Sequence, residues 1–478
     1  MTSRGEATMP NQWRLPFVSR MWFLPFLLAG CEGGTNEDPG LPSAVTIRVS
    51  LSSSGEQANR DCGTLSSVIM GISRDGRIVV FSSTASNLVS GVSNAKRQIF
   101  ARDVDAGSTV VASATAAGVI ADKDCDDPSI SKDGRYVVFE SSATLLASTT
   151  DGRKHIYRKD LQTGSLVLVD QSSGGLEGGT TGTDQSMRAS ISADGQYIVF
   201  RSNMTNLVIP ATTSPRQHIF RRFIPPSGPA STVLISSPHG GTAEGGSTGG
   251  TTCLDPWVSD DGDRVAFSSS FSDLAAADTD STNDVYVRIH STSTTELVSR
   301  ATGSGGAKGT GESVEPRISG NGRHVVFRSA ATNLVVGDSN PNVDVFRRDL
   351  TDKVTIRVSV NSSGTQTTQV LNPLGNIVGD CSFSSISDDG RYISFGCWAG
   401  NLVSDDTNNT FDVFLRDVDA GKTTRISVRT LGAQGDAESF VNAISGDGRY
   451  VAFLALASNL VEQDTNGNID AFRRGPLY

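Results

Sequence analysis

Four stretches of the chain set oxygen-bearing side chains at alternate positions of a short, turn-forming loop. They run from Asp278 to Asp284, Asp338 to Asp344, Asp406 to Asp412 and Asp464 to Asp470. Counted from the first aspartate, positions 1, 3 and 7 are Asp278, Asp280 and Asp284; Asp338, Asn340 and Asp344; Asp406, Asn408 and Asp412; and Asp464, Asn466 and Asp470. Carboxylate and amide oxygens at this spacing are what a hard cation requires, so the loops are candidate Ca2+ sites, and Ca2+ is the one cofactor indicated. No glutamate follows at position 12 and a strand pattern comes next, so these are not helix-flanked EF-hand loops. The same residues would also serve as Asx turns that cap the loop without a metal.

Three related stretches act as an internal control. Aligned on the following Ile-Phe or Ile-Tyr, position 1 becomes Val92, Thr149 and Thr212, position 5 becomes Lys96, Arg153 and Arg216, and position 7 becomes Gln98, His155 and His218. Both end carboxylates vanish together and a fixed positive charge enters. That joint change is expected if a cation offsets carboxylate repulsion in four loops and is not needed in three.

For catalysis the residues offer little. His155, His218, His239, His290 and His324 show no metal-ligand spacing, and there is no Gly-x-Ser-x-Gly elbow or phosphate loop, so no catalytic residue is assigned. A basic residue recurs two places after an aromatic, at Arg102, Lys159, Arg222, Arg288, Arg348, Arg416 and Arg474. Once per unit, it reads as a structural partner of acids at the blade edge, with an anion site as the alternative.

Cys381 and Cys397 each lie eight residues from Asp389, which faces them across a hairpin as a candidate disulfide. Cys62 and Cys125 occupy equivalent places in neighbouring units and could pair, which would leave Cys253 free.

These residues are positioned by a repeat. An Asp-Gly turn (Asn-Gly once) begins at Asp75, Asp133, Asp194, Asp261, Asn321, Asp389 and Asp447, at spacings of 58, 61, 67, 60, 68 and 58 residues. Each unit reads Ile/Val-Ser-x-Asp-Gly-Arg-Tyr-Val-Val-Phe, then Asn-Leu-Val, Asp-Val-Phe-x-Arg-Asp and Thr-x-Arg-Val-Ser, which is four strands, A to D. Four short strands at this period predict propeller blades, so the fold class is all-β, a seven-bladed β-propeller. The last unit ends at strand C, while Val45-Thr46-Ile47-Arg48-Val49-Ser50 matches strand D of unit five, Val354 to Ser359. The N-terminal strand is therefore expected to complete the last blade and close the ring.

The repeats resemble the TolB-like, or WD-like, propeller family, whose usual turn is Ser-Pro-Asp-Gly followed by an apolar-Phe strand; here the match fails only at the proline. The resemblance spans about residues 44 to 478, in a lipoprotein form without the α/β domain that precedes the TolB propeller. It implies the fold and leaves the family's envelope role in doubt. A weaker similarity to propeller lyases acting on acidic sugars gives the alternative function, a carbohydrate-active enzyme with a metal on the central face.

Net charge −10 and a pI near 5.1 argue against a nucleic-acid partner. Arg14 and Arg20, the apolar run 21–28 and Leu28-Ala29-Gly30-Cys31 read as an export signal whose end resembles the bacterial lipobox, making Cys31 the lipidation site. Domains are then a lipoprotein signal peptide at 1–30, a flexible tether at 31–43 and the propeller at 44–478. The long D–A connections place binding on the face they share with the B–C loops. The expected function is a non-enzymatic, monomeric binding or scaffold module for an envelope protein or glycan. It would be held at the bacterial outer membrane, periplasmic or surface face, through its lipid alone.

Overall fold

Each blade is nucleated by its Ser-x-Asp-Gly turn. The computed structural model describes residues 44–478 apart from 64–68, 94, 150, 180–183, 213–215, 242–243 and 247–248. The signal, the tether and Cys31 lie outside the described residues. In the first turn Ser73 Oγ donates to Asp75 Oδ1 at 2.6 Å, the same oxygen accepts the Arg77 amide at 3.0 Å, and Ser73 Oγ accepts the Ile78 amide at 2.9 Å. Gly76 reverses the chain at φ 75°, a left-handed conformation that a side chain would resist. The serine-to-aspartate bond recurs in every other turn, with Asn321 as acceptor in blade five.

The strands form seven four-stranded sheets in the order A-B-C-D, all antiparallel. Blade two, for example, comprises Cys125–Ile130, Tyr136–Ser141, His155–Asp160 and Leu166–Leu168. Blade seven comprises Ser439–Ile444, Val451–Ala455 and Asp470–Gly475, with Val45–Arg48 as its fourth strand, paired from Val45↔Gly475 to Arg48↔Phe472. The closure expected from the chain ends is therefore the one found. An additional hairpin, Val370–Leu371 with Ile377–Val378, rises from the long connection before blade six.

An aromatic pair from strands B and C sits at the heart of each blade, from Phe81–Phe100 to Phe453–Phe472, with ring centroids 5.6 Å apart at the closest, in Phe139–Tyr157. Burying one such ring contributes about 2–3 kcal/mol, so the repeated Phe positions account for much of the core. Between blades, the residue at the x position of each turn forms a belt of main-chain hydrogen bonds around the central axis. The Arg74 amide donates to Lys132 O, Lys132 to Ala193 O, Ala193 to Asp260 O and Asp260 to Gly320 O. Asn321 then donates to Asp388 O, Asp388 to Gly446 O, and Asp447 to Arg74 O, which closes the circle.

The once-per-blade basic residue has a role other than the one expected. Arg102 Nη1 donates to Ser52 O at 3.0 Å and Thr109 Oγ1 at 3.1 Å; Arg222, Arg288, Arg348 and Arg416 do likewise to the carbonyls of the preceding connection and a strand D threonine. Lys159 Nζ makes the same bridge to Ala114 O and Thr115 O, and Arg474 to Thr46 Oγ1. The partners are carbonyls of the neighbouring blade and not acids. Burial without a carboxylate in contact pushes the Arg348 guanidinium down to about 10.

Cys381 and Cys397 stand directly opposite in the register and are joined by a disulfide. Cys62 and Cys125, whose pairing the sequence left open, do not pair; each is buried and free, as is Cys253. The reason is register. Each faces a serine on its own strand B (Cys62↔Ser83, Cys125↔Ser141, Cys253↔Ser269), so blade six differs only in having a second cysteine there.

Candidate functional site

Strand C begins at position 7 of each B–C loop, and strand D lies beside it, so the loop acids are held against strand D. In blade four Asp284 Oδ1 accepts Ser299 Oγ at 2.6 Å, and equivalent serines on strand D bond Asp344, Asp412 and Asp470. The position 3 side chains form Asx turns: Asp280 accepts the Thr282 amide, Asn340 that of Asn342, Asn408 that of Thr410 and Asn466 that of Asn468.

A chain-borne cation stands among the acids of all four loops. Lys308 Nζ is 2.7 Å from Asp284, 2.9 Å from Asp280 and 3.8 Å from Asp278. In blade five Arg357 lies 2.8 Å from Asp338 and 3.6 Å from Asp344. In blade six Arg425 lies 3.5 Å from Asp406 and 3.9 Å from Asp412. In blade seven Arg48, from the closing strand, lies 2.9 Å from Asp464 and 3.5 Å from Asp470. Burial still raises the inner carboxyls, Asp284 to about 6 and Asp412 to about 7, with the neighbouring aspartate adding to it. Hydrogen bonding to Lys308 lowers Asp280.

A side-chain cation able to offset the loop carboxylates is thus present, and the spacing within the loops did not reveal it. Its signal lies outside the loops. The Thr-x-Arg-Val-Ser of strand D carries Arg357, Arg425 and Arg48, whereas blade four has Leu297 there and Lys308 in the next connection, where the other three blades have Gln366, Gln434 and Gln57.

Blades one to three fill the same box differently. Blade one is uncharged at Gln98, whose amide donates to Ala121 O at 3.0 Å. In blade two, His155 faces Asp151 and Glu177 with Asp170 behind it. In blade three, His218 Nδ1 is 3.0 Å from Ser236 Oγ and its Nε2 is 3.9 Å from Glu244; burial pushes this imidazole down to about 4. Among the described residues, two groups bring potential ligand atoms within 4.8 Å of one another and could hold a metal: Asp278, Asp280 and Asp284, and Asp151, His155 and Glu177.

The central channel is the second candidate, and strand A builds it. A cavity of about 220 Å³ is lined by residues of strand A from all seven blades. At the turn face Asp388 reaches across to Lys132 Nζ at 2.7 Å and Arg74 Nε at 3.3 Å. A Cβ at Gly446 would lie 2.5 Å from the Asp388 carboxylate, so glycine there makes its room. Next comes a collar of Ile72, Ile130, Ile191, Val258, Ile318, Ile386 and Ile444.

Toward the long-loop face, strand A is bulged, and Asp127, Arg188, Asp255, Glu315 and Phe383 all have φ between 48° and 55°. Left-handed backbone at a residue with a side chain costs roughly 1 kcal/mol or more each, so the register is held by its surroundings. Arg188 Nε is 3.2 Å from Asp127, its amide donates to Glu140 Oε2 at 2.8 Å, and Lys154 holds the other Glu140 oxygen at 2.7 Å. Arg328 pairs with Glu315 at 3.0 Å, and the Arg317 guanidinium lies 4.3 Å over the Trp257 ring. On blade six the channel is lined by Phe383, which packs edge-on to Phe411, as Phe411 does to Trp398. No histidine lines this channel among the described residues. Acid-proline pairs in mid-strand, Asp127-Pro128, Asp255-Pro256 and Glu315-Pro316, were the available signal for the bulges.

Fold and channel together define a seven-bladed β-propeller closed by its N-terminal strand. No protein-family model and no curated protein matches the chain. Among solved structures it is similar to an oligogalacturonate lyase in complex with manganese, at 12% identity over 90% of this chain and 93% of that one, TM-score 0.49. It is similar to TolB from Acinetobacter baumannii at 13% identity over 72% of this chain and 64% of that one, TM-score 0.36, so it spans less than two thirds of that protein. It is also similar to the β-propeller domain of the Trilobed protease from Pyrococcus furiosus, at 10% identity over 83% and 92%, TM-score 0.46. Likeness at this level concerns the fold alone.

Proposed function

We propose that the protein is a non-enzymatic binding and scaffold module of the bacterial cell envelope. It is exported, lipid-anchored through Cys31 and monomeric, and it receives an envelope protein or a glycan at the long-loop mouth of its channel. The observation that carries this reading is the row of left-handed residues on strand A, of which Arg188, Asp255, Glu315 and Phe383 line the channel with charged and aromatic groups. Paired carboxylates and guanidinium groups together with an aromatic ring suit a ligand with hydroxyl or amide groups and an apolar face. The test is capture from envelope extract by the detergent-solubilised protein and by Arg188→Ala and Phe383→Ala. A partner retained by the parent and lost from both variants supports the reading; equal capture by all three refutes it. The anchor is tested separately: palmitate incorporation should vanish in Cys31→Ala, and undiminished labelling would reject it.

A second reading, Ca2+ stabilisation through the acidic loops of blades four to seven, is favoured in blade four by the convergence of Asp278, Asp280 and Asp284. There Ca2+ would displace the Lys308 ammonium. Addition of Ca2+ should raise the melting temperature, and more so in Lys308→Gln; no shift in either protein removes the reading.

A further inference from the structure

The box in blade two pairs a histidine with an acid behind it, an arrangement that none of its six counterparts has. Asp170 replaces the strand D serine found at Ser50, Ser113, Ser236, Ser299, Ser359 and Ser427. It is fully buried, accepts the Ile156 amide on Oδ1 at 3.1 Å, and places Oδ2 2.8 Å from His155 Nδ1. A carboxylate there takes the Nδ1 proton as its hydrogen bond, which turns Nε2 outward and makes it the more basic. Nε2 lies 3.2 Å from Asp151 Oδ1 and 3.3 Å from Glu177 Oε1. Glu177 Oε1 is itself buried and accepts no hydrogen bond. A ring nitrogen and two carboxylate oxygens converging in this way share either a proton on Nε2 or a metal ion that replaces it.

We propose that blade two carries a divalent transition-metal site, occupied by Zn2+ or an ion of the same class. Its ligands are His155 Nε2, Asp151 Oδ1 and Glu177 Oε1, and Asp170 is the positioning residue. Two of the ligand separations suit such an ion, and all three ligand atoms lie within 4.8 Å of one another. Ligands about 2.0–2.1 Å from a tetrahedral ion stand about 3.3 Å from each other, which is the separation of Nε2 from both oxygens. Charge agrees as well. Arg153 Nε holds the other Asp151 oxygen at 2.6 Å, so three carboxylates and one guanidinium leave a deficit that a divalent ion cancels.

A mixed nitrogen and oxygen set favours a borderline ion over Ca2+, in contrast to the oxygen-only loops. Asp151 and Glu177 are about a quarter exposed, at 22% and 25%, so the fourth position opens to solvent. Blade three provides the contrast within the same chain. Its His218 has Ser236 behind it, Glu244 at 3.9 Å, and Ser214 in the sequence place of Asp151.

The experiment is Co2+ and Zn2+ titration of the tag-free, full-length protein, read by Co2+ visible absorption and by competition with a chromophoric chelator. One equivalent should bind with the intensity of a tetrahedral site. Binding should be lost in His155→Ala and weakened about 10- to 100-fold in Asp170→Ser, which installs the residue of the other blades. Glu177→Gln, on the solvent side of the box, should weaken it at least tenfold with unchanged melting behaviour, and it decides the question alone if His155→Ala does not fold. No stoichiometric binding by the parent overturns the proposal. So does an affinity and spectrum that Glu177→Gln leaves unchanged.

Discussion

Lys308→Gln should unfold more easily, and a second substitution should cure it. Lys308 Nζ has two close carboxylates, but they are not equivalent. Asp280 is half exposed at 51%, and such a contact is worth at most about 1 kcal/mol. Asp284 is wholly buried, and stripping a buried carboxylate of its counter-charge costs about 3–5 kcal/mol. Glutamine itself is tolerated by the site, since Gln366, Gln434 and Gln57 occupy it in blades five to seven.

A loss of about 3 kcal/mol is therefore expected at pH 8, measured from urea unfolding followed by tryptophan fluorescence. At pH 5 the loss should shrink. Asp284 already titrates near 6, above its unfolded value near 4, so its folded form gains protons as pH falls through that window. Removing the lysine pushes that titration higher still, and at pH 5 the buried group is neutral.

Adding Leu297→Arg to Lys308→Gln rebuilds the arrangement of blade five, where Arg357 reaches Asp338 and Asp344 from the same strand position. The double variant should recover most of the loss. An unaltered urea midpoint in the single variant at pH 8, or a double variant no better than the single, would refute this account of the boxes.

Asp412→Asn should stabilise the protein at pH 8 and change little at pH 5. Asp412 titrates near 7, so its ionisation costs stability as pH rises from about 4 to 7, up to ~4 kcal/mol at 1.36 kcal/mol per tenfold. Equal destabilisation at both pH values in urea melts would contradict it. Cys397→Ser, which recreates the Cys-Ser pair of blades one, two and four, should lower stability by about 3 kcal/mol for a loop of 16 residues. The parent should show the same loss under reductant and the variant none, as read by thermal melting. Arg48→Leu should cost as much as Lys308→Gln and should also accelerate proteolysis at the chain ends, because it strips Asp464 and Asp470 of their cation. Cleavage kinetics matching the parent would argue that the closing strand holds by main-chain pairing alone.

The blades were legible because their determinants are local. A turn needs only Ser73, Asp75 and Gly76, and seven copies with matching apolar strands leave few alternatives. Closure was legible for a related reason, since an unpaired strand D at one end answers a missing one at the other. The cation in the acid boxes was not. Asp344 meets Arg357 from the next strand, Asp284 meets Lys308 beyond that strand, and Asp464 meets Arg48 from the far end of the chain. A loop read alone therefore shows the acids without the charge that answers them. The Cys62 and Cys125 pairing failed because neighbouring blades present these residues to their own strand B. The channel was overlooked because its residues sit at bulges, where the alternation that assigns a side chain to a face is broken.

The closing blade shows why the counter-charges lie so far from the acids they serve. Main-chain pairing of Val45–Arg48 with Asp470–Gly475 would be nearly as good after a slip along the strand, because hydrogen-bonded ladders carry little sequence information. The side chains discriminate. In the observed register Arg48 lies between Asp464 and Asp470, while Ser50 Oγ donates to Asp470 Oδ1 at 2.5 Å and accepts the Ala471 amide at 3.1 Å. A one-residue slip would turn Arg48 to the other face and leave two buried carboxylates without a cation, at a cost of about 3–5 kcal/mol. The same grammar in blades five and six sets strand D against strand C within one repeat, so the last blade reuses a register device across the two ends of the chain. The acidic loop thus selects the strand that may close the ring.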